Sequence, residues 1–191
     1  MERCLNLLSE RCFNGKGQII DPSRFGEIDI KATTSHFASI KAVIKMLDDG
    51  SFEGTAEIMD NGYAGMDRRS QYFNESDSLL FVEQLEKEYP GLKISRHKVV
   101  NLEKNDASLI DSLEVLIEDM TDVMGDMMVF SPLLTFKVSD NPFKLESRDY
   151  PVEFSYPIRQ RVLCHIEIPE NYGIESLPSP IRLQCPARIW N

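Results

Sequence analysis

One stretch constrains the fold more than any other. From Ala38 to Met46, apolar residues (Ala38, Ile40, Ala42, Ile44, Met46) alternate with Ser39, Lys41 and Lys45, and Val43 is the one break. A second run puts Phe52, Gly54, Ala56 and Ile58 on one face and Glu53, Thr55 and Glu57 on the other. Successive side chains on a strand point to opposite faces, so this alternation demands one buried face and one wet face. Asp48-Asp49-Gly50 joins the runs, and glycine supplies the backbone freedom a tight turn needs. A β-hairpin in an antiparallel sheet follows.

The flanking segments are less regular. Residues 63–72 predict a short helix with Arg68 and Arg69 exposed. A second helix is predicted from about Ser76 to Glu88, with Leu79, Val82 and Leu85 on one face, Phe81 and Tyr89 close by, and Pro90-Gly91 ending it. Alternation then returns, with Leu92, Ile94 and Val100 in one strand and Leu109, Leu113, Val115 and Ile117 in the next, joined through Asn105-Asp106. Met127-Met128-Val129-Phe130 is a short strand ended by Pro132. Eight of the ten prolines lie at or beyond Pro132, which excludes long helices from the last third. That third is expected to hold a strand from Arg161 to Ile168, a turn at Asn171-Tyr172-Gly173 and a short strand around Ile181–Cys185. Residues 1–35, broken by Gly15, Gly17, Pro22 and Gly26, read as irregular. The expected fold is α+β: a mainly antiparallel β-sheet or sandwich-like module with one helical insertion.

Charge and composition narrow the partners. The 191 residues carry 21 Lys plus Arg against 31 Asp plus Glu, a net charge of -10. Nucleic-acid affinity comes from Lys and Arg neutralising phosphates, so this balance argues against such a partner. No apolar run approaches the ~20 residues of a membrane helix. Met1-Glu2-Arg3-Cys4 opens no stretch like a signal peptide.

Candidate chemistry is sparse. A thiol nucleophile needs a base and a group orienting that base, and Cys12 with His36 and an acid such as Asp29 is the set nearest in sequence. Cys12 precedes a glycine-rich loop rather than opening a helix that would lower its pKa. Cys164 alternates with Val162, Ile166 and Ile168 and so faces the core, whereas His165 faces the other way. A Cys164–Cys185 disulfide requires their strands to be neighbours. His36, His97 and His165 are far apart, and none has zinc-ligand spacing to a cysteine. Asp119, Asp122 and Asp126 miss the ligand spacing of a calcium loop and read as a solvated acidic face. Met120, Met124, Met127 and Met128 suit core filling more than an adaptable binding surface. Gly15-Lys16-Gly17 lacks the rest of a phosphate loop. No catalytic, cofactor-binding or metal-ligating residue is assigned, and no cofactor is expected.

Several motifs in order carry a family resemblance. They are Ser9-Glu10-Arg11-Cys12-Phe13-Asn14-Gly15-Lys16-Gly17, Asp49-Gly50-Ser51-Phe52-Glu53-Gly54-Thr55, and Gly62-Tyr63-Ala64 leading to Arg68-Arg69. Asn141-Pro142-Phe143-Lys144, Arg148-Asp149-Tyr150-Pro151-Val152-Glu153-Phe154 and Pro169-Glu170-Asn171-Tyr172 before Leu177-Pro178 follow. Together they resemble the region after the catalytic core in bacterial multidomain transglutaminase-like proteins. That resemblance implies that residues 1–35 are a linker or the tail of the upstream core, and that 36–191 form a C-terminal β-rich domain of undefined role. It places the Cys-His-Asp triad upstream of every matched motif, so Cys12 corresponds to a linking residue and not to the nucleophile. It also implies export, and a family domain continuing past Asn191, which would leave an unpaired sheet edge.

The expected function is therefore a non-catalytic accessory or interaction domain that packs against or presents a transglutaminase-like core. Two alternatives come from other classes. One is a thiol hydrolase or acyltransferase using Cys12 and His36. The other is a glycan- or peptide-binding module using Tyr63, Tyr72 and Tyr150 with Trp190, favoured if those aromatics are exposed together.

Overall fold

Strand alternation builds the centre of the molecule. The computed structural model describes residues 7–13, 15–74, 78–137 and 154–183. After a 3-10 turn at Glu10–Cys12 come strands β1 (Gly15–Asp21), β2 (Arg24–Ile30), β3 (His36–Met46) and β4 (Phe52–Gly62). Helices α1 (Tyr63–Asn74) and α2 (Ser78–Glu88) follow, then β5 (Leu92–Val100), β6 (Leu109–Ile117), β7 (Thr121–Met124) and β8 (Met127–Phe130). A second 3-10 turn, Leu134–Phe136, precedes β9 (Ile158–Glu167).

Five strands form one sheet in the order β5-β6-β4-β3-β9. Its neighbours are antiparallel except β9, which runs parallel to β3 with Ala42 opposite Cys164. The fold is α+β and mainly antiparallel, as the alternation implies. Ile40, Ala42, Ile44 and Met46 of β3 are buried on the inner face with Phe52, Ala56 and Ile58 of β4 and Leu113, Val115 and Ile117 of β6. Lys41, Lys45, Glu53 and Glu57 line the wet outer face, and Val43, the break in the pattern, stands exposed among them. Phe81 and Leu85 of α2 and Leu134 and Phe136 of the second 3-10 turn close over the inner face. Each such side chain contributes about 1.5–3 kcal/mol by leaving water.

The helices depart from expectation in which face they bury. In α2 the core row is Phe81 and Leu85, one turn apart, continued by half-buried Tyr89; Leu79 is exposed and Val82 only half-buried. In α1 the predicted exposed pair, Arg68 and Arg69, is buried at 9% and 5% exposure. Arg69 donates to the carbonyls of Asn101, Leu102, Lys104 and Ala107, so it clamps the β5–β6 connection to the helix.

The expectation of irregular structure before residue 35 is corrected by the β1–β2 hairpin, which forms a separate two-stranded sheet. Gly17 and Gly26 are not breakers there. They pair across the strands with Ile28 and Ile19, and a Cβ on Gly17 would lie 2.7 Å from Cδ1 of Ile30. Asp21 closes the turn by accepting from the Ser23 backbone N–H (2.8 Å) and hydroxyl (2.6 Å). The central hairpin uses the same device, Asp49 accepting from Ser51 at 2.9 and 2.6 Å.

β7, not anticipated from the sequence, forms between Asp119 and Asp126, pairs with β8, and is tied down by the Thr121 hydroxyl donating to the Gly50 carbonyl (2.7 Å). The turn after β9 is closed by Tyr172 N–H on the Pro169 carbonyl, earlier than predicted. Residues 181–183 form no strand, and Ile181 and Leu183 are exposed; Cys185, and with it the Cys164–Cys185 pairing, lies outside the described residues.

Gly54 packs against β3 at φ +153, and a Cβ there would lie 2.3 Å from the Val43 carbonyl oxygen. Gly54→Ala should therefore cost about 1–3 kcal/mol, seen as a lower urea midpoint with unchanged m-value.

Candidate functional site

Two core-facing strand positions carry carboxylates. Asp60 continues the inward row of β4 beyond Ile58, and Asp111 sits between Leu109 and Leu113 on the inward row of β6. They are 4% and 0% exposed. A carboxylate so placed needs partners, because an unpaired buried charge is very costly. Helix α1 lies across this part of the sheet and supplies them.

Arg68 Nε donates to Asp60 Oδ2 at 3.1 Å, and Nη1 donates to Glu88 Oε2 and Gln71 Oε1, each at 3.2 Å. The guanidinium also stands 5.9 Å from the Phe81 ring centre, a cation–π distance. Burial pushes the Asp60 carboxyl above its ordinary value, and Arg68 offsets this only in part. Burial works against the Arg68 charge, but Glu88 and Asp60 outweigh it and hold its proton more firmly than usual.

Asp111 is served by Tyr72 and His97. The Tyr72 hydroxyl donates to Asp111 Oδ1, and His97 Nε2 lies 2.8 Å from that oxygen and 2.7 Å from the hydroxyl. A β-bulge between Ile94 and Arg96 makes this contact. It reverses the inward parity of β5, so His97 and Val99 turn in and Val100 turns out, against the expectation that Val100 shares a face with Leu92 and Ile94. Tyr72 stacks on Phe81 with ring centres 3.6 Å apart, and burial and then Asp111 push its phenol well above the ordinary range. Asp111 Oδ2 has no hydrogen-bond partner among the described residues.

Beside this network lies a cavity of about 470 Å³. Ile40, Ile58 and Val162 floor it, and His36, Asp60, Asp67, Arg68 and Lys137 line its polar side. His36 Nδ1 is 4.0 Å from Asp67, whose carboxyl is raised by burial with the imidazole partly opposing. The imidazole also stacks on Tyr156 (6.1 Å), Tyr156 stacks on Tyr63 (4.0 Å), and Phe13 meets Tyr63 edge-on (6.2 Å). Tyr63 donates to the Leu8 carbonyl, and burial and then a hydrogen bond with Glu10 push the Tyr156 phenol up. This aromatic ladder fastens residues 8–13 to the start of α1. The arrangement fixes charges in place and offers a polar-walled, apolar-floored recess.

The sequence candidates are distributed as follows. Cys12 is exposed at the end of the first 3-10 turn and makes no hydrogen bond with His36 among the described residues. Asp29 pairs with Lys31 at 3.1 Å, so the acid beside His36 is Asp67. Cys164 is half-buried against the core, with its thiol pushed up by burial. Lys16 pairs with Glu27 across β1–β2. Met120 and Met128 pack on the core while Met124 and Met127 are exposed. Tyr63 is buried and Tyr72 is engaged with Asp111; Tyr150 and Trp190 lie outside the described residues. From the sequence, neither Asp60 nor Asp111 is singled out, Arg68 is expected to be exposed, and His97 is weighed only as a zinc ligand. The signal was present for the acids, since each occupies an inward position of an otherwise apolar alternation, where a charge needs an explanation.

Residues 126–188 match a family described as a domain of unknown function, DUF3858. The match takes in β8, the second 3-10 turn and β9. No curated protein matches the chain, and no solved structure does either.

Arg68→Ala should cost about 3–5 kcal/mol in urea unfolding, since it strands Asp60 without its counter-charge. Asp60 also predicts a pH dependence. Its folded carboxyl holds a proton more firmly than the ~4 of an unfolded chain, so this group's contribution is complete below the unfolded value. It is lost as pH rises through the folded value. Asp60→Asn should flatten that decline in a pH series of urea midpoints; an unchanged decline would assign it to Asp67.

Proposed function

We propose that this chain acts as a non-catalytic accessory domain of a transglutaminase-like protein, packing against or presenting a catalytic core. One observation carries the reading. The β1–β2 hairpin holds Ile20 and Phe25 directly opposite each other, at 98% and 91% exposure. Large apolar side chains side by side in water mark a contact surface. The hairpin lies within residues 1–35, which the resemblance makes a linker or the tail of such a core, and it precedes the five-stranded sheet, a place suited to contact between core and accessory domain. The aromatic ladder of Phe13, Tyr63, Tyr156 and His36 supports the same reading, because it fixes the chain leading into the hairpin against the sheet domain.

The test pairs binding with turnover. A separately produced transglutaminase-like core should bind the chain, and Phe25→Ser should weaken binding about tenfold or more while moving the urea midpoint little, as at other exposed sites. Equal binding by the variant would remove the hairpin from the interface. Amine and glutamine donors, or peptide substrates, should give no thiol-dependent turnover with the chain alone. Turnover abolished by Cys12→Ala would replace the accessory role with a thiol hydrolase or acyltransferase.

A further inference from the structure

We infer that β9 is a self-association edge, pairing antiparallel about Leu163 with β9 of a second copy of this chain. β9 is the last strand of the five-stranded sheet, and among the described residues nothing pairs with its outer edge. A strand of ten residues with a free edge is a template for another strand.

The occupant is set by the strand's own sequence. The Pro157 carbonyl accepts from the His36 N–H, so the odd-numbered residues of β9 turn their N–H and C=O groups to β3 and the even-numbered ones turn theirs to the open edge. Pairing two copies about Leu163 matches that even-numbered set with itself. Antiparallel pairing of two copies about Leu163 sets each Pro157 against the other copy's Pro169, with the whole strand engaged between them. Arg159 then stands opposite Glu167 of the other copy, twice by symmetry, and Leu163 faces its own equivalent. Both charges are exposed, and neither has an ion pair among the described residues. Leu163, 52% exposed, lies on the outer face near Val43, 45% exposed, so the pairing also covers apolar surface left in water. Val162 and Cys164, half-buried on the inner face, face each other across the two copies, and Ile166 faces Gln160. A register slipped by two residues, centred on Cys164, would face Arg159 with Pro169 and engage a shorter stretch of β9.

Sedimentation of the full chain should show a concentration-dependent dimer, weak because an edge contact is small. Arg159→Glu and Glu167→Arg should each weaken it about tenfold, and the two together should restore it. Leu163→Cys should form a disulfide-linked dimer under mild oxidation, since residues facing each other across an antiparallel pair lie within disulfide reach. A chain that stays monomeric to its highest soluble concentration, or a double charge swap that fails to restore association, would overturn the inference. Linkage through native Cys164 in place of Leu163→Cys would overturn the register.

Discussion

Two carboxylates on the inner face of the sheet decide how the rest of the molecule is arranged. Asp60 and Asp111 occupy positions that alternation reserves for apolar side chains. Neither is tolerable there without donors, and α1 brings Arg68 and Tyr72 to them from the same helix, one turn apart. The helix is held down less by an apolar stripe than by this polar engagement, with Phe81 of α2 packed against both Arg68 and Tyr72. Buried polar groups of this kind specify one arrangement strongly, because a shifted helix would leave charges unpaired. The bulge in β5 belongs to the same solution, since without it His97 would face water.

Much of the sheet was legible because period-two alternation is a direct record of one buried face. The β3–β4 hairpin and β6 follow it closely. It failed where the backbone broke its own period, at the β5 bulge, which no residue type announces. It failed again in β1–β2, where glycines read as breakers are spaces for isoleucine side chains. The Asp-x-Ser turn shared by Asp21–Ser23 and Asp49–Ser51 was a usable signal for that hairpin. The parallel placement of β9 has no local signature at all, since it depends on which edge of the sheet remained open when the chain returned.

The candidate site was less legible than the fold. Charged residues on a helix are usually exposed, and Arg68 and Arg69 look ordinary until Asp60 and the β5–β6 connection are placed beneath them. Cys12 and His36, which drew attention by type, share no hydrogen bond among the described residues, while residues that appeared incidental form the buried network. The proposed accessory role accommodates this distribution: structural charges inside, an apolar hairpin tip outside, and a recess between α1 and the sheet.

The parallel pairing of β9 bears on where a unit of this protein begins and ends. Both strands described within residues 126–188 take their hydrogen-bond partners from earlier in the chain, β8 from β7 and β9 from β3. A boundary drawn at the limits of sequence similarity would cut through two sheets and sever every ladder those strands make. The stretch that families share and the stretch that folds are therefore different objects here. The smallest autonomous piece must reach back at least to His36, and β9 can join only after β3 and β4 have found each other, a late and long-range closure.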